Sequence, residues 1–398
     1  MKILYFHQHF STPAGSTGTR SYEFGKALVK AGHNVTIICG SYWIADSGLS
    51  GPFINGKRTG CVDGINVVEL ELSYSNAQGF LKRAWLFIRY SISGIKVALS
   101  VEYDILFATS TPLTAGIPGV FGKIFRRKKF IFEVRDLWPE LPREMGVITN
   151  PVVLKLMDWL ETVTYKYADK CIALAPGIAS GIKKKVPNKQ VTIIPNGSDE
   201  VDPKQFSSNS NDQKLIAVFT GAHGIANGLD AILDAAGELL KRSENDIEIQ
   251  FIGDGKLKPG LIARVENEKL HNCKFIAPMP KHEMFDYLRE NADAGLMVLD
   301  NIPAFYNGTS PNKFFDYISL GLPVINNYPG WLAELIVERN CGIAIAPGDP
   351  IRLAEALVSL KQDKNLCKKY GQNARILSEE KFSRKLLSRE FVEYITSC

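Results

Sequence analysis

Short apolar blocks alternate with stretches of helical spacing from the N-terminus onward. Residues 2–6 (KILYF) read as a buried strand and 7–20 (HQHFSTPAGSTGTR) as a polar, glycine-bearing loop. An amphipathic helix over 20–31 stops at Gly32, and 34–39 is a β-branched strand. The same alternation gives strands at 65–69, 104–108, 129–134, 170–174 and 191–194. Helices fall within 79–100 and 113–125, at 151–168 and after Pro176. Repetition of this kind builds a parallel sheet covered on both faces. Residues 198–213, rich in Ser, Asn and Asp without periodicity, read as a linker. The alternation then restarts, with strands at 215–220, 247–252, 274–276, 294–299, 324–325 and 342–346. Helices lie at 229–240, within 257–270, at 281–291 and 331–339, and on to about 378. The pattern predicts two Rossmann-like α/β domains, 1–200 and 201–378, and an amphipathic helical tail within 379–398.

One stretch, NGTSPNKFFDYISLGLPVINN at 307–327, carries the clearest chemistry. Asn307, Gly308, Thr309 and Ser310 form a turn-rich loop, and Pro311 suits the first position of a helix. Phe314, Phe315 and Ile318 give that helix a buried face, and Gly321 and Pro323 stop it. Lys313 is a cation in the first turn, where the macrodipole is already positive. Such a residue is unfavourable unless an anion is shared between it and the loop amides. Asp316 lies one turn on, on the same face, with a carboxylate suited to a vicinal diol. Together they describe a site for the diphosphate and ribose of a nucleotide; a surface helix with a solvated Lys and Asp fits the same letters.

Composition narrows the classes. With 398 residues, 45% hydrophobic and 22% charged, the chain is an ordinary globular one, long enough for two domains. Its net charge of +5 is uneven, +8 over 1–200 and −3 over the rest, so the first domain is suited to an anionic partner. Nucleic acid is disfavoured, since no recognition motif accompanies the charge. Seven cysteines are scattered without paired spacing, which argues against a zinc site or a disulfide framework. His7 and His9 flank a strand end with no third ligand in view. The glycines of the first loop, Gly15 and Gly18, do not make a GxGxxG fingerprint, and a dinucleotide is disfavoured. Neither a signal peptide nor a spanning apolar run is legible, so a soluble or peripheral protein is expected. Within 79–100, Leu81, Ala84, Trp85, Ile88, Ile92, Ile95 and Leu99 recur at helical spacing beside Lys82, Arg89 and Lys96. That face either covers the domain's own sheet or docks on an anionic membrane, with the RRKK run at 126–129 adding charge; the basic first domain favours docking.

A series of landmarks runs along nearly the whole chain: PAGSTGTRSYEFGKALVKAGHNVTII, EVRDLWPE, YADKCIALAPGI, IIPNGSD, FTGAHGIANGLDAILDAA, FIGDGKL and SPNKFFDYISLGLPVI. In this order and spacing they resemble family 4 of the GT-B glycosyltransferases, and within it the bacterial O-antigen and capsule branch similar to L-fucosamine transferases. The resemblance implies two Rossmann-like domains facing a central cleft, with the C-terminal helix crossing back to the first. It implies retaining transfer of a sugar, an N-acetylated or deoxy hexosamine, from a UDP-sugar to a polyprenyl-diphosphate-linked saccharide. No cofactor or metal is implied, and the enzyme would be cytoplasmic, peripheral on the inner face of the cell membrane. Arg20, Gly15 and Gly18 would face the donor diphosphate, and Asp136 the acceptor or the transferred sugar. Lys313 would bind phosphate and Asp316 ribose, with Thr309, Ser310 and Asn312 assisting. The backbone of 277–279, with Met279, would meet the uracil. His223, in the second glycine loop, is either a donor contact or a cap. Two departures stand out: Gly308 occupies the first position of a family glutamate pair, and Ala222 and Asn227 occupy positions where many members carry Arg and Lys. A catalytically silent scaffold and a UDP-sugar 2-epimerase share the architecture and remain alternatives.

Overall fold

The computed structural model describes residues 1–75, 78–199 and 214–397. The expected linker, save Ser198 and Asp199, lies outside the described residues. The chain forms two compact units: Met1–Pro195 with Gly308–Ser310 and Lys385–Cys398, and Asn196–Asn307 with Pro311–Arg384. The C-terminal segment thus groups with the N-terminal unit.

In the first unit the chain runs β1 (Lys2–Phe6), α1 (Arg20–Lys30), β2 (Asn34–Tyr42), β3 (Lys57–Val62), β4 (Ile65–Tyr74), α2 (Phe80–Ser100) and β5 (Ile105–Thr109). It continues through α3 (Ile117–Arg126), β6 (Lys129–Val134), α4 (Glu140–Glu144), α5 (Pro151–Tyr167), β7 (Lys170–Ala173), α6 (Pro176–Lys185) and β8 (Val191–Ile193). The strands form one sheet in the order β3-β4-β2-β1-β5-β6-β7-β8. Only β3 and β4 are antiparallel. They are joined at Asp63–Gly64, both at positive φ, a tight hairpin turn. No strand is legible at KRTGCV, which has no apolar face, and on this edge strand none is needed.

Right-handed crossovers assign the helices to faces. The step from β1 to β2 runs one way along the sheet and sets α1 on one face; the steps from β4 to β5, β5 to β6 and β6 to β7 run the other way and set α2, α3 and α5 on the opposite face. Ring contacts agree. Phe24 of α1 stacks on Phe391 of the C-terminal helix (Arg384–Thr396) at 4.0 Å, and Phe391 meets Phe107 of β5 at 5.2 Å. Tyr90 of α2 meets Phe6 of β1, a residue of the other sheet face. The C-terminal helix starts later than the sequence suggests, because Ser378–Phe382 form a π turn before it. A 3₁₀ turn, Leu113–Gly116, likewise opens the helix expected within 113–125.

The second unit runs β9 (Leu215–Thr220), α7 (Asp230–Lys241), β10 (Ile247–Ile252), α8 (Lys258–Asn267), β11 (Cys273–Ile276), α9 (Lys281–Asn291), β12 (Ala294–Met297) and α10 (Pro303–Gly308). It continues through α11 (Asn312–Ser319), β13 (Val324–Asn326), α12 (Trp331–Glu338), β14 (Gly342–Ala344), α13 (Pro350–Gln362) and α14 (Lys364–Leu377). Its sheet, β11-β10-β9-β12-β13-β14, is wholly parallel. Strand order reverses between β9 and β12 here, and between β1 and β5 in the first unit. The carboxyl ends of strands at such switch points are where open α/β sheets bind ligands. Asn307 and Gly308, expected in a loop, instead end the short helix α10.

The C-terminal helix is held by aromatic packing in the first unit's core, so Phe391→Ala should leave a cavity between Phe24 and Phe107. A loss of about 3–5 kcal/mol is expected in denaturant unfolding of that unit. An unchanged midpoint would show that the helix is not part of that core.

Candidate functional site

The second unit's site grows from the ends of β9 and β10. Gly221, after β9, has φ +128°, and Gly253, after β10, has φ +145°. A Cβ on Gly253 would lie 2.0 Å from the Gly221 carbonyl oxygen, so the two loops approach as only glycine permits. Tyr317 of α11 fixes the next element: its hydroxyl accepts the backbone N–H of Thr220 at 2.9 Å. Gly295 of β12 leaves room for that ring, since a Cβ there would meet it at 2.3 Å. The first turn of α11 is thereby set beside the Gly221 loop.

Lys313 sits in that turn. Its Nζ lies 3.8 Å from the Phe219 ring centroid and donates to Asn227 Oδ1 at 2.8 Å. A cation over an aromatic face gains some electrostatic stabilisation. Among the described residues no carboxylate pairs with it, and burial pushes its ammonium down to about 7. A desolvated cation without a counter-ion is a costly arrangement that an anion would relieve. Asn227, the position where a family cation is missing, is the residue that holds Lys313. Its amide also donates to the Ala222 carbonyl, so both departed positions take part in fixing the lysine.

Asp316 is buried, and its carboxylate lies 3.1 Å from Lys281 Nζ at the start of α9. Lys281 also lies 3.1 Å from Asp199, which pairs in turn with Arg384. Burial raises the Asp316 carboxyl above its ordinary range, with Lys281 opposing that effect. For Lys281 burial acts downward, but the two carboxylates outweigh it and hold the ammonium up. Lys281 was missed in the sequence although its signal was available: like Lys313, it is a cation in the first turn of a helix, directly after the segment ending at Met279.

His223 is wholly buried beneath the glycine loop, its ring near Phe219, Phe251 and Phe275, with both ring nitrogens unpartnered among the described residues. Burial, then Lys258, lowers it to about 4. Its backbone N–H donates to Asp254 O and its carbonyl accepts from Leu257 N. Met279 is half-buried on the loop after β11, and Asn312 is exposed at the start of α11. Thr309 and Ser310, half-buried, connect α10 to α11 and group with the first unit.

In the first unit the expected diphosphate role of Arg20 is corrected. Its Nε and Nη2 donate to Glu133 Oε2 at 3.0 and 2.8 Å, and its other bonds go to the carbonyls of Pro195 and Ile194 at 2.5 and 2.7 Å. Thr109 donates to the second Glu133 oxygen at 2.7 Å. This buried, paired guanidinium is a strut tying α1 to β6 and to the end of the unit. Gly15 is also structural, because a Cβ there would lie 2.2 Å from Ser11 Oγ; Gly18 is exposed on the same loop.

A different polar group gathers at the first unit's switch point. Asp136, after β6, is half-buried and accepts from Thr111 Oγ1 at 3.2 Å. Burial raises its carboxyl, opposed by Arg135 and Thr111. Glu161 Oε1 holds the loop by accepting the Trp138 N–H at 2.7 Å. At the end of β1, His7 and Gln8 are buried, with His7 Nδ1 and both Gln8 amide atoms unpartnered among the described residues. Burial, then the charges of Arg135 and His9, keep His7 neutral. Among the described residues no cluster fits a metal ion.

Comparison with known proteins agrees with this architecture. Residues 15–197 match the family model "Glycosyl transferase 4-like domain" and residues 200–377 match "Glycosyl transferases group 1". The amylovoran biosynthesis glycosyltransferase of Erwinia amylovora is 24% identical over 201 residues, 49% of this chain and 48% of that protein. The chain spans about half the length of the curated relatives it matches. Among solved structures, sucrose-phosphate synthase from Thermosynechococcus elongatus superposes with a TM-score of 0.76 at 15% identity, covering 100% of this chain and 98% of that one. Anabaena HepE in complex with UDP-glucose gives 0.68 at 15% identity, covering 100% of both. The chain therefore belongs to the GT-B glycosyltransferases, with a glycosyl transferase 4-like domain in its first half and a group 1 domain in its second.

Proposed function

We propose that the protein is a retaining glycosyltransferase that moves a sugar, an N-acetylated or deoxy hexosamine, from UDP to a lipid-linked saccharide in bacterial surface polysaccharide synthesis. The observation that carries the reading is Lys313, a half-buried cation without a carboxylate partner among the described residues, set beside the glycine loop after β9. Breaking the sugar–diphosphate bond leaves negative charge on the departing phosphate, so preorganised cations and amides accelerate it most. Lys313 takes the role of a metal in neutralising that charge. The departing phosphate accepts the proton of the attacking hydroxyl on the same face of the sugar. Asp316 binds the ribose diol, with Lys281 fixing its carboxylate, and the 277–279 backbone meets the uracil. Asp136 and the unpartnered His7 and Gln8 present neutral and acidic acceptors and donors suited to sugar hydroxyls. The named activity of the Erwinia relative and the UDP-glucose bound by HepE support the reading.

Release of UDP from a panel of UDP-sugars mixed with lipid-linked acceptors tests it, with EDTA leaving the rate unchanged. Donor binding without release would point to a silent scaffold, and sugar interconversion without acceptor to an epimerase.

The two residues on α11 should separate kinetically. Lys313→Ala should slow turnover by about 2–4 kcal/mol of lost charge stabilisation. Asp316→Ala should chiefly weaken donor binding, because a ribose contact is shared by ground and transition states. Donor affinity unchanged in Asp316→Ala would remove the ribose assignment.

Binding of UDP should also depend on pH. With Lys313 at about 7 in the free protein, a bound diphosphate raises it, so binding above that pH takes up a proton. Affinity should then fall from pH 7 to 9, by up to about tenfold per unit. Lys313→Arg stays charged and should bind with a flat profile. A flat profile in the unaltered protein would place the diphosphate away from Lys313.

A further inference from the structure

The outer surface of the α2, α3 and α5 layer is inverted relative to an ordinary crossover helix. The residues α2 buries are Leu86, Tyr90, Ser91, Gly94 and Ala98, mostly small. A Cβ on Gly94 would lie 2.6 Å from Pro118 of α3 and 3.0 Å from Phe6, so close packing on this side requires small residues. The large apolar residues face out instead: Leu81 is 81% exposed, Trp85 57%, and Ile88, Ile92 and Leu99 are exposed with them. The neighbouring helices do the same, with Phe125 of α3 at 67% and Trp159 of α5 at 61%, beside exposed Ile124, Val152 and Leu156. Since α2, α3 and α5 share one face of the sheet, these stripes belong to one layer.

The charge on α2 says what covers it. Lys82, Arg89 and Lys96 are exposed and recur every seven residues, so they follow the apolar stripe along the helix. The helix holds no acidic residue, and among the described residues none of the three cations is in an ion pair. The nearby acid Glu102 is taken by Arg126 and Lys128. A second copy fits poorly: a two-fold interface sets the same patch against itself, bringing like charges together. No helix among the described residues is long and apolar enough to cross a membrane.

We propose that this layer seats the first unit on an anionic lipid bilayer, with α2 lying in the interfacial plane: Trp85, Ile88 and Ile92 enter the headgroup region and Lys82, Arg89 and Lys96 meet lipid phosphates. The inference rests on the proposed use of a lipid-linked acceptor, which must be met at a membrane surface.

Co-sedimentation of the full chain with phosphatidylcholine vesicles, with and without phosphatidylglycerol, over a salt series tests it. Binding is expected only to the anionic vesicles and should weaken with salt. Replacing Lys82, Arg89 and Lys96 with Gln should reduce it about a hundredfold, at about fivefold per cation. Trp85→Ser with Ile92→Ser should reduce it about tenfold or more. Both variants should keep wild-type UDP affinity and melting temperature, which separates this claim from the proposed activity: failure to bind UDP would sink that reading and leave the vesicle result standing. Binding to neither vesicle, binding indifferent to both variants, or a lipid-free dimer abolished by Trp85→Ser with Ile92→Ser would overturn the docking surface.

Discussion

Lys313 is the constraint around which the second unit's site is arranged. Placing its ammonium over Phe219, with the Asn227 amide oxygen as its one close acceptor among the described residues, requires α11 to begin beside the Gly221 loop. That placement in turn requires the Tyr317 hydroxyl at the end of β9 and the bare backbone of Gly295 beneath its ring. A lysine so desolvated is unfavourable in isolation. A bound anion would relieve that cost, which is the basis of the proposed diphosphate role. Asn227, held in turn by the Ala222 carbonyl, accepts from that lysine and fixes its position.

The first unit treats charge differently. Its most buried cation, Arg20, is fully engaged with Glu133 and two carbonyls and contributes rigidity. Among its unpartnered buried polar atoms are those of His7 and Gln8 at the end of β1, with His7 near enough to Arg135 to feel its charge. Neutral imidazole and amide groups left unpartnered suit hydroxyl-rich ligands, just as an unpaired ammonium suits a phosphate.

Much of this was legible in the letters. Strand–helix alternation reads as parallel sheets, and the sequence places Lys313 in the first turn of a helix, where the structure has it. Four features were not legible, for physical reasons. The edge strand β3 needs no apolar face, so hydropathy does not reveal it. Arg20 looked like a free cation because Glu133 and the carbonyls of Ile194 and Pro195 approach it only through tertiary folding. On α2, hydropathy alone left open whether the large apolar stripe faced the core; the close approach of α3 at Gly94 decides it, since small residues must point inward there. Asp316 was read as a free diol ligand, whereas Lys281 reaches it from another helix.

The most direct measurement is a crystal structure of the protein with UDP bound. The expected result is a diphosphate oxygen about 3 Å from Lys313 Nζ, the Gly221 loop amides turned to the same phosphate, and the ribose hydroxyls on Asp316. A diphosphate bound elsewhere, with Lys313 still donating only to Asn227, would contradict the account at its centre.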